Sequence, residues 1–459
     1  MLQNLNIFLF AILSLLLFNN CSNEKIIFAF QLNRHGARSP YSGVKNGIDV
    51  YKEKWIKNGE LTDIGKRQLY LLGVKVRKKY IDEFKLLSRE YNPQEIYIRS
   101  TDHNRTIESI YSFLQGLYPS GTGPIISDKV YNNKSIIYPP NEKYKENFDN
   151  ITYKYNMTNK EALPFQMSVE PIHIFYKPKH EFQLYDSDIC KGILPIYLEL
   201  NERQEIKEFA NNIINETNNL FIDLEENKNK SYFHDYWNLY KYVDNALCDE
   251  TDERTFNDLK NKYSYVDDDL LEKLKSKSKK FLKDDFLLTN NSTNLSIVGS
   301  SYTMHSILNW MDQAIKSHKN GSIGSYIKFA IFSAHDYSIG NIDGFMNYAF
   351  NKTIEYADFA ESRYFELYID DNEQYNVRYL KGDNTIKLDI GYDEFKKIVN
   401  NKAWSDEEVA KFCQFDENQK NNQKENKINI LWTSVMIILS VLDGVLLVFL
   451  ILYCLKKNI

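Results

Sequence analysis

Residues 26–40 read IIFAFQLNRHGARSP, an apolar run that ends in a histidine between two arginines. Such a run is typical of a strand that is buried on both faces of a sheet. Open α/β sheets bind their ligands at the carboxyl ends of their strands. The guanidinium groups of Arg34 and Arg38 can grip a phosphate through paired hydrogen bonds, and the imidazole of His35 can attack phosphorus. The stretch therefore predicts a phosphate site on an α/β sheet.

A second segment, residues 96–106 (IYIRSTDHNRT), has the same organisation. A short strand precedes Arg99, and Thr101 or Asp102 is predicted to cap the helix that follows. Arg99 is thus expected at the carboxyl end of a strand. Arg105 lies one turn further along, and we expect it to form a structural ion pair behind the site.

A third segment, residues 325–336 (SYIKFAIFSAHD), is another apolar strand that ends in polar side chains. His335 can donate a hydrogen bond to a phosphate oxygen, and Asp336 can deliver a proton to a leaving oxygen. A His-Asp pair alone is a weak signal. Its position after a third core-like strand makes it a further part of the same predicted site.

These segments resemble motifs of the histidine acid phosphatases. Residues 34–40 match the family's R-H-G-x-R-x-P signature, residues 99–105 resemble its R-S-T-D-x-x-R segment, and residues 335–336 resemble its H-D pair. Residues 59–68 (GELTDIGKRQ) are similar to the family's G-E-L-T-x-x-G-x-x-Q segment. There Thr62 is expected to cap a helix and Gly65 to allow close packing.

The resemblance implies a role for each matching residue. It gives a nucleophile, a proton donor and four phosphate-binding groups: His35, Asp336, and Arg34, Arg38, Arg99 and His335. The nucleophile must be a neutral imidazole, so its other ring nitrogen is expected to bond a backbone carbonyl near Gly36. The implied substrate is a small phosphate monoester, and the implied chemistry needs no metal or other cofactor.

Two other functions remain open on the sequence. One is a catalytically inactive membrane receptor that keeps a phosphate pocket. The other is a phosphotransferase or phytase-like member of the wider superfamily.

The implied fold is α/β, with a mainly parallel sheet flanked by helices, similar to the core of phosphoglycerate mutase. We expect a histidine phosphatase domain over residues 22–413, with its core in residues 22–122 and 295–413. Residues 123–294 are predicted to form a mostly helical cap insertion, with helical periodicity over residues 203–220 and 256–286. A late β-hairpin is predicted to join Ser362–Ile369 to Tyr375–Leu380.

The two ends of the chain predict a membrane protein. Residues 1–21 resemble a signal peptide, residues 414–429 a polar stalk, and residues 430–455 a transmembrane helix followed by a cytosolic tail at 456–459. This pattern predicts a single-pass type I protein whose catalytic domain is lumenal or extracellular. A lysosome, an endosome or the cell surface is expected. Lys456-Lys457 resembles an endoplasmic-reticulum retrieval signal, but stop-transfer charges are the preferred interpretation.

Composition adds limits on partners and covalent links. The formal charge of −5 gives no indication of a nucleic-acid partner, and the sequence leaves a homodimer open. Several Asn-x-Ser/Thr sites are consistent with glycosylation. The family resemblance pairs Cys190 with Cys413 and leaves Cys248 alone. A Cys190–Cys248 pairing also stays open.

Overall fold

The computed structural model describes residues 24–40, 59–132, 160–175, 189–202, 293–321 and 326–415, with a few single positions between 203 and 292. The predicted signal peptide, membrane helix and tail lie outside the described residues. So do the predicted stalk beyond Phe415 and nearly all of the two predicted helical stretches of the cap. Within these ranges, we find no helix with the length and apolar character that a membrane span needs. The proposed division into core and cap stays a prediction.

One mixed sheet organises the described part of the chain. Its seven strands are β1 (Lys25–Arg34), β2 (Ile96–Thr101), β3 (His173–Phe175), β4 (Phe329–Ala334), β5 (Ser362–Ile369), β6 (Tyr375–Lys381) and β7 (Ile386–Gly391). They lie in the order β3-β2-β4-β1-β5-β6-β7. The pairs that join β3, β2, β4 and β1 are parallel, whereas the β1–β5, β5–β6 and β6–β7 pairs are antiparallel. The α/β prediction and the late hairpin are confirmed, while β3 and β7 were not predicted.

Helices cover both faces of this sheet. They are α1 (Asp63–Arg77, continued by a π-helical turn over Lys78–Glu83), α2 (Asn104–Leu117), α3 (Asp128–Tyr131), α4 (Leu194–Glu202), α5 (Thr293–Lys319), α6 (Asp336–Phe350), α7 (Tyr392–Lys402) and α8 (Asp406–Cys413). Short 3-10 turns occupy Pro164–Gln166 and Lys191–Ile193. Side chains of α1 and α2 share one apolar cluster with the sheet, and those of α5, α6 and α7 share the other.

Strand β1 lies between these two clusters. Phe28, Phe30 and Leu32 pack toward α5 and α6, whereas Ile26 and Ala29 pack toward α1 and α2. Burial on both faces removes all of these side chains from water, which is the main favourable contribution to folding. The apolar run in the sequence is therefore the central strand that it predicts.

The register of the parallel strands brings their carboxyl ends to one edge. Arg34 of β1 pairs with Ala334 of β4, and Ser100 of β2 pairs with Ser333 of β4. The ladder continues one residue further, since the His35 N–H donates to the Ala334 carbonyl at 3.0 Å. The three motif segments therefore end side by side.

The starts of two helices show where the capping predictions succeed and fail. Thr62 caps α1, with its hydroxyl accepting from the Gly65 N–H at 3.1 Å. Helix α2 instead begins after His103, so the predicted cap at Thr101 or Asp102 is wrong. Thr101 is still part of β2, and its hydroxyl is used in side-chain hydrogen bonds within the site.

Candidate active site

The imidazole of His35 is held in one tautomer. It is 2% exposed, and its Nδ1 lies 2.8 Å from the Gly36 carbonyl oxygen. A carbonyl can only accept, so Nδ1 carries the proton and Nε2 keeps its lone pair. The expected carbonyl partner near Gly36 is thus confirmed. The ring has the form that a nucleophile toward phosphorus requires.

The loop that follows His35 is fixed by helices α1 and α2. The Gly36 N–H donates to Ser109 Oγ at 3.1 Å, and the Ala37 N–H donates to Gln68 Oε1 at 2.8 Å. A Cβ on Gly36 would stand 2.4 Å from the Gly65 carbonyl oxygen, so two glycines are needed where the loop meets α1. The segment over residues 59–68 therefore supports the loop that carries the signature.

Arg34 connects the strand end to two other segments. Its Nη2 lies 2.8 Å from Asp336 Oδ2, and its Nη1 donates to the Ala357 carbonyl at 2.7 Å and to the Tyr356 hydroxyl at 2.9 Å. The Phe359 ring lies against the guanidinium, with its centre 4.2 Å from the central carbon. Burial opposes the charge of Arg34, yet its pKa is raised, because Asp336 and Tyr356 favour the cation.

Residues 351–361 were missed by the sequence analysis, although Tyr356 and Phe359 lie beside the site. They belong to an irregular segment between α6 and β5, and no motif marks them. The only signal available was two aromatic residues that follow the third motif. Aromatic residues are common in cores, so this signal does not single out a site.

His335 is the second imidazole of the site. Its ring centre lies 5.6 Å from that of His35, and it is 1% exposed. Nδ1 lies 3.2 Å from Nη2 of Arg105, and Nε2 lies 3.0 Å from Thr101 Oγ1. A guanidinium can only donate, so Nδ1 accepts from it and Nε2 donates to the threonine hydroxyl.

This contact corrects the expectation for Arg105. The side chain bonds His335 and is therefore part of the site, while the expected ion pair stays a prediction. The helix that follows β2 starts at the shared strand edge, and its first turn therefore carries Arg105 to the same place.

The remaining predicted arginines are both buried. Arg38 is 4% exposed, and its Nη1 donates to the Ser39 carbonyl at 3.0 Å and lies 3.6 Å from the sulfur of Cys248. Arg99 is 6% exposed, and its central carbon lies 4.5 Å from the centre of the Phe332 ring. Asp336 opens α6, where its Oδ1 accepts from the Tyr337 N–H at 2.9 Å.

The electrostatics of the site keep its histidines neutral. Burial is the first cause that lowers the pKa of His35 well below its ordinary value, followed by the charges of Arg105, Arg34 and Arg38. Burial and then Arg105 also lower the pKa of His335. A neutral imidazole surrounded by cations suits a phosphate ester, since the anion supplies the missing negative charge.

The disulfide predicted from the resemblance is confirmed. Cys190 is bonded to Cys413, and the thiol of Cys248 is buried beside Arg38. The alternative pairing of Cys190 with Cys248 is therefore wrong.

The chain is similar to several known acid phosphatases. The lysosomal acid phosphatase of Xenopus laevis is 27% identical over 382 residues, which cover 81% of this chain and 73% of that protein. Putative acid phosphatase 11 of Caenorhabditis elegans is 36% identical over 26% of this chain and 28% of that protein. Human lysophosphatidic acid phosphatase type 6 is 36% identical over 23% of this chain and 26% of that protein. The last two matches span little more than a quarter of those relatives.

The solved structures support the fold. The phytase from Citrobacter braakii aligns with a TM-score of 0.54 at 11% identity, covering 85% of this chain and 99% of that one. The family described as Histidine phosphatase superfamily (branch 2) matches residues 25–381. This range includes strands β1 to β6 and ends before β7, α7 and α8. With the signature histidine, its arginines and the His-Asp pair within that range, the chain belongs to branch 2 of the histidine phosphatase superfamily.

Proposed function

We propose that this protein is an acid phosphatase that hydrolyses phosphate monoesters through a phosphohistidine on His35. The observation that carries the proposal is the bond from Nδ1 of His35 to the Gly36 carbonyl, which leaves Nε2 as a lone-pair nucleophile. The lowered pKa of His35 supports the same role, because the imidazole then stays neutral in acidic surroundings.

Phosphate binding is assigned to Arg34, Arg38, Arg99 and His335. The burial of all four side chains supports this assignment, because charge interactions are stronger away from water. Fixed guanidinium groups neutralise the ester and stabilise the charge that develops on the phosphoryl oxygens during transfer.

Asp336 is proposed as the proton donor. In the first step Nε2 of His35 bonds to phosphorus, the ester P–O bond breaks, and the Asp336 proton passes to the leaving oxygen. In the second step water attacks the phosphohistidine and gives its proton to the Asp336 carboxylate, which releases phosphate and restores both groups. The contact of 2.8 Å between Asp336 Oδ2 and Nη2 of Arg34 supports this role, since Arg34 is one of the proposed phosphate-binding groups.

Anchoring in a membrane is part of the proposal. It rests on residues 1–21 and 430–455 of the sequence, which suit a type I protein with a lumenal or extracellular catalytic domain.

The test compares the parent protein with H35A and D336N on para-nitrophenyl phosphate and on glycerol phosphate, between pH 4 and 7. We expect H35A to lose at least about 10³-fold in kcat/KM on both esters. D336N is expected to lose about 10²–10⁴-fold on glycerol phosphate, whose alkoxide needs a proton, and less than about tenfold on the activated aryl ester.

Exposed residues provide the controls. H318A and D371N change the same residue types on the surface and are expected to retain parental activity. A parent protein that is inactive over this pH range supports the inactive receptor instead. Equal losses of D336N on both esters contradict Asp336 as the acid.

A further inference from the structure

Asp336 is paired with a buried cation, although its proposed role as proton donor requires a protonated carboxyl group. Its Oδ2 lies 2.8 Å from Nη2 of Arg34, and Arg34 is 2% exposed. Such a cation favours the carboxylate over the neutral carboxyl group. A general acid that is held as a carboxylate has no proton to give. The proton must therefore be acquired in a step that weakens the effect of this pair.

Arg34 connects the carboxylate to the place where a phosphoryl group would bind. The centre of the Phe359 ring lies 4.2 Å from the central carbon of the guanidinium and 5.8 Å from the centre of the His35 ring. The Nε–H of Arg34 is buried and has no hydrogen-bond partner within the part of the chain that the structure describes. An anion bound to this guanidinium would therefore lie close to Asp336 as well.

A dianion at Arg34 reverses the electrostatic preference of Asp336. A carboxylate beside a phosphoryl dianion is a pair of like charges, which favours the neutral carboxyl group. Besides Arg34, the groups that face Asp336 among the described residues are the Tyr356 hydroxyl and the Tyr337 N–H. Burial is the first cause that raises the pKa of Tyr356 to about 12, so this hydroxyl is neutral. Neither group supplies a second cation that could keep the carboxylate charged.

The two imidazoles of the site are less suited to take up a proton. Burial and then the charges of three arginines lower the pKa of His35 well below its ordinary value, so these cations oppose a second proton on the ring. Nδ1 of His335 accepts from Arg105 at 3.2 Å, and a proton on this nitrogen would break that bond. Asp336 is therefore the group at which a bound dianion most readily causes protonation.

We propose that substrate binding supplies the proton of the general acid: the Asp336 carboxylate takes up one proton from solvent when a phosphoryl dianion binds at Arg34. The inference rests on the proposed phosphatase function and adds the step that prepares the acid. The proton then passes to the leaving oxygen, and the carboxylate that remains accepts a proton from the attacking water. When phosphate leaves, this proton returns to solvent.

The test is a calorimetric titration with sulfate at pH 5.0 and 6.0, because sulfate stays a dianion at both values. Uptake of one proton predicts that the parent protein binds sulfate about tenfold more tightly at pH 5.0 than at pH 6.0. D336N cannot take up this proton, so its two affinities are expected to agree within about twofold. At pH 6.0 it is expected to bind sulfate at least about tenfold more tightly than the parent, because the competing carboxylate is gone.

The matched control is D371N, which removes an exposed carboxylate and is expected to keep the pH dependence of the parent. Circular dichroism checks the fold of each variant. A pH dependence that persists in D336N overturns the proposal, because another group then takes up the proton.

The parent protein alone gives a second measurement, which decides the matter where D336N does not fold. Titration in two buffers of different ionisation enthalpy counts the protons taken up with sulfate, and about one is expected at pH 6.0. The infrared difference spectrum on adding sulfate is expected to show the carbonyl band of a neutral carboxyl group. No proton uptake, or uptake without this band, contradicts the proposal.

The same samples separate this inference from the proposed function. A parent protein that does not hydrolyse phosphate esters contradicts the phosphatase function itself, whatever its affinity for sulfate. An active parent that does not bind sulfate, or binds it equally at both pH values, contradicts only the coupling between anion binding and protonation of Asp336.

Discussion

His35 and His335 are two buried groups that make the folded protein less stable in acid. The pKa of each is lowered well below the ordinary histidine value, first by burial and then by Arg105. Above about pH 6.5 both rings are neutral in the folded and the unfolded chain, so their protonation does not reduce the stability of the folded state. As the pH falls below this value, the unfolded chain binds protons that the folded chain does not, so stability decreases.

This linkage gives a prediction for an H335N variant. Each buried neutral histidine costs about 1.4 kcal/mol of stability per pH unit below 6.5. Between pH 7.5 and 5.0 we expect the loss of unfolding free energy to be smaller in H335N than in the parent, by up to about 2 kcal/mol. Urea unfolding at the two pH values measures it. H318N, at an exposed position, is the control, and an acid-induced loss in H335N as large as in the parent contradicts the prediction.

At the scale of residues, the sequence predicts the groups whose positions follow from strand ends. His35, Arg34 and Asp336 come together because parallel strands end at the same edge. The contacts of Arg105 and Tyr356 could not be predicted in this way. One depends on the direction of a long side chain on a helix, and the other on an irregular segment that crosses from α6 to β5.

At the scale of elements, the crossing of α1 and α2 holds the loop after His35. The two helices meet at Gly73 and Gly116, where an added Cβ would stand 2.0 Å from the Phe113 carbonyl oxygen and 2.1 Å from the Tyr70 carbonyl oxygen, respectively. Only glycine allows so close an approach. Helix α1 carries Gln68 and α2 carries Ser109, so this crossing fixes the two side chains that bond the loop.

G73A is expected to destabilise the protein. Alanine favours a helix over glycine by about 1 kcal/mol, but overpacking a closed contact costs about 1–3 kcal/mol, and the backbone clash at Gly73 makes the second effect larger. We predict a net loss of at least about 1 kcal/mol in urea unfolding.

G391A is the matched control for this change. Gly391 has a φ of −59° and no atom within 4 Å of an added Cβ, so its substitution is expected to change stability by less than about 0.5 kcal/mol. Equal stabilities of G73A and G391A contradict the close-contact argument.

Elements also differ in how well the sequence predicts them. The long apolar strands are predicted from the sequence because their patterns extend over many residues. The same holds for the hairpin whose first strand is Ser362–Ile369. Strand β3 has three residues, and its pairing with β2 is a tertiary effect. Strand β7 has only a partly buried pattern, so a local signal is weak.

At the scale of the whole molecule, one covalent bond joins distant parts of the chain. The Cys190–Cys413 disulfide connects the segment before α4 with the end of α8, which lie 223 residues apart in sequence. Around it, Ile193, Leu295 and Val409 form a separate apolar cluster. The spacing of cysteines alone leaves several pairings open, whereas the family resemblance identifies this one.

Removing this bond is expected to destabilise the fold without abolishing the chemistry. A bridge across so long a loop restricts the unfolded chain strongly, and the loss of a native disulfide typically costs about 2–5 kcal/mol. The C190S/C413S double variant should therefore unfold at lower urea concentration by that difference in free energy. Its kcat/KM at 25 °C should stay within about threefold of the parent, because none of the proposed catalytic groups belongs to the cluster around the bridge.

The parent protein in the presence of a reductant provides the comparison, because it loses the same bond without a change of side chain. Both samples should show the same decrease if the bridge acts by restricting the unfolded chain. An unfolding free energy that does not change in either sample means that the apolar cluster alone holds α8 against the segment before α4. A large loss in the double variant but not in the reduced parent assigns the effect to the serine hydroxyls, which are buried at positions where cysteine is 0% and 1% exposed.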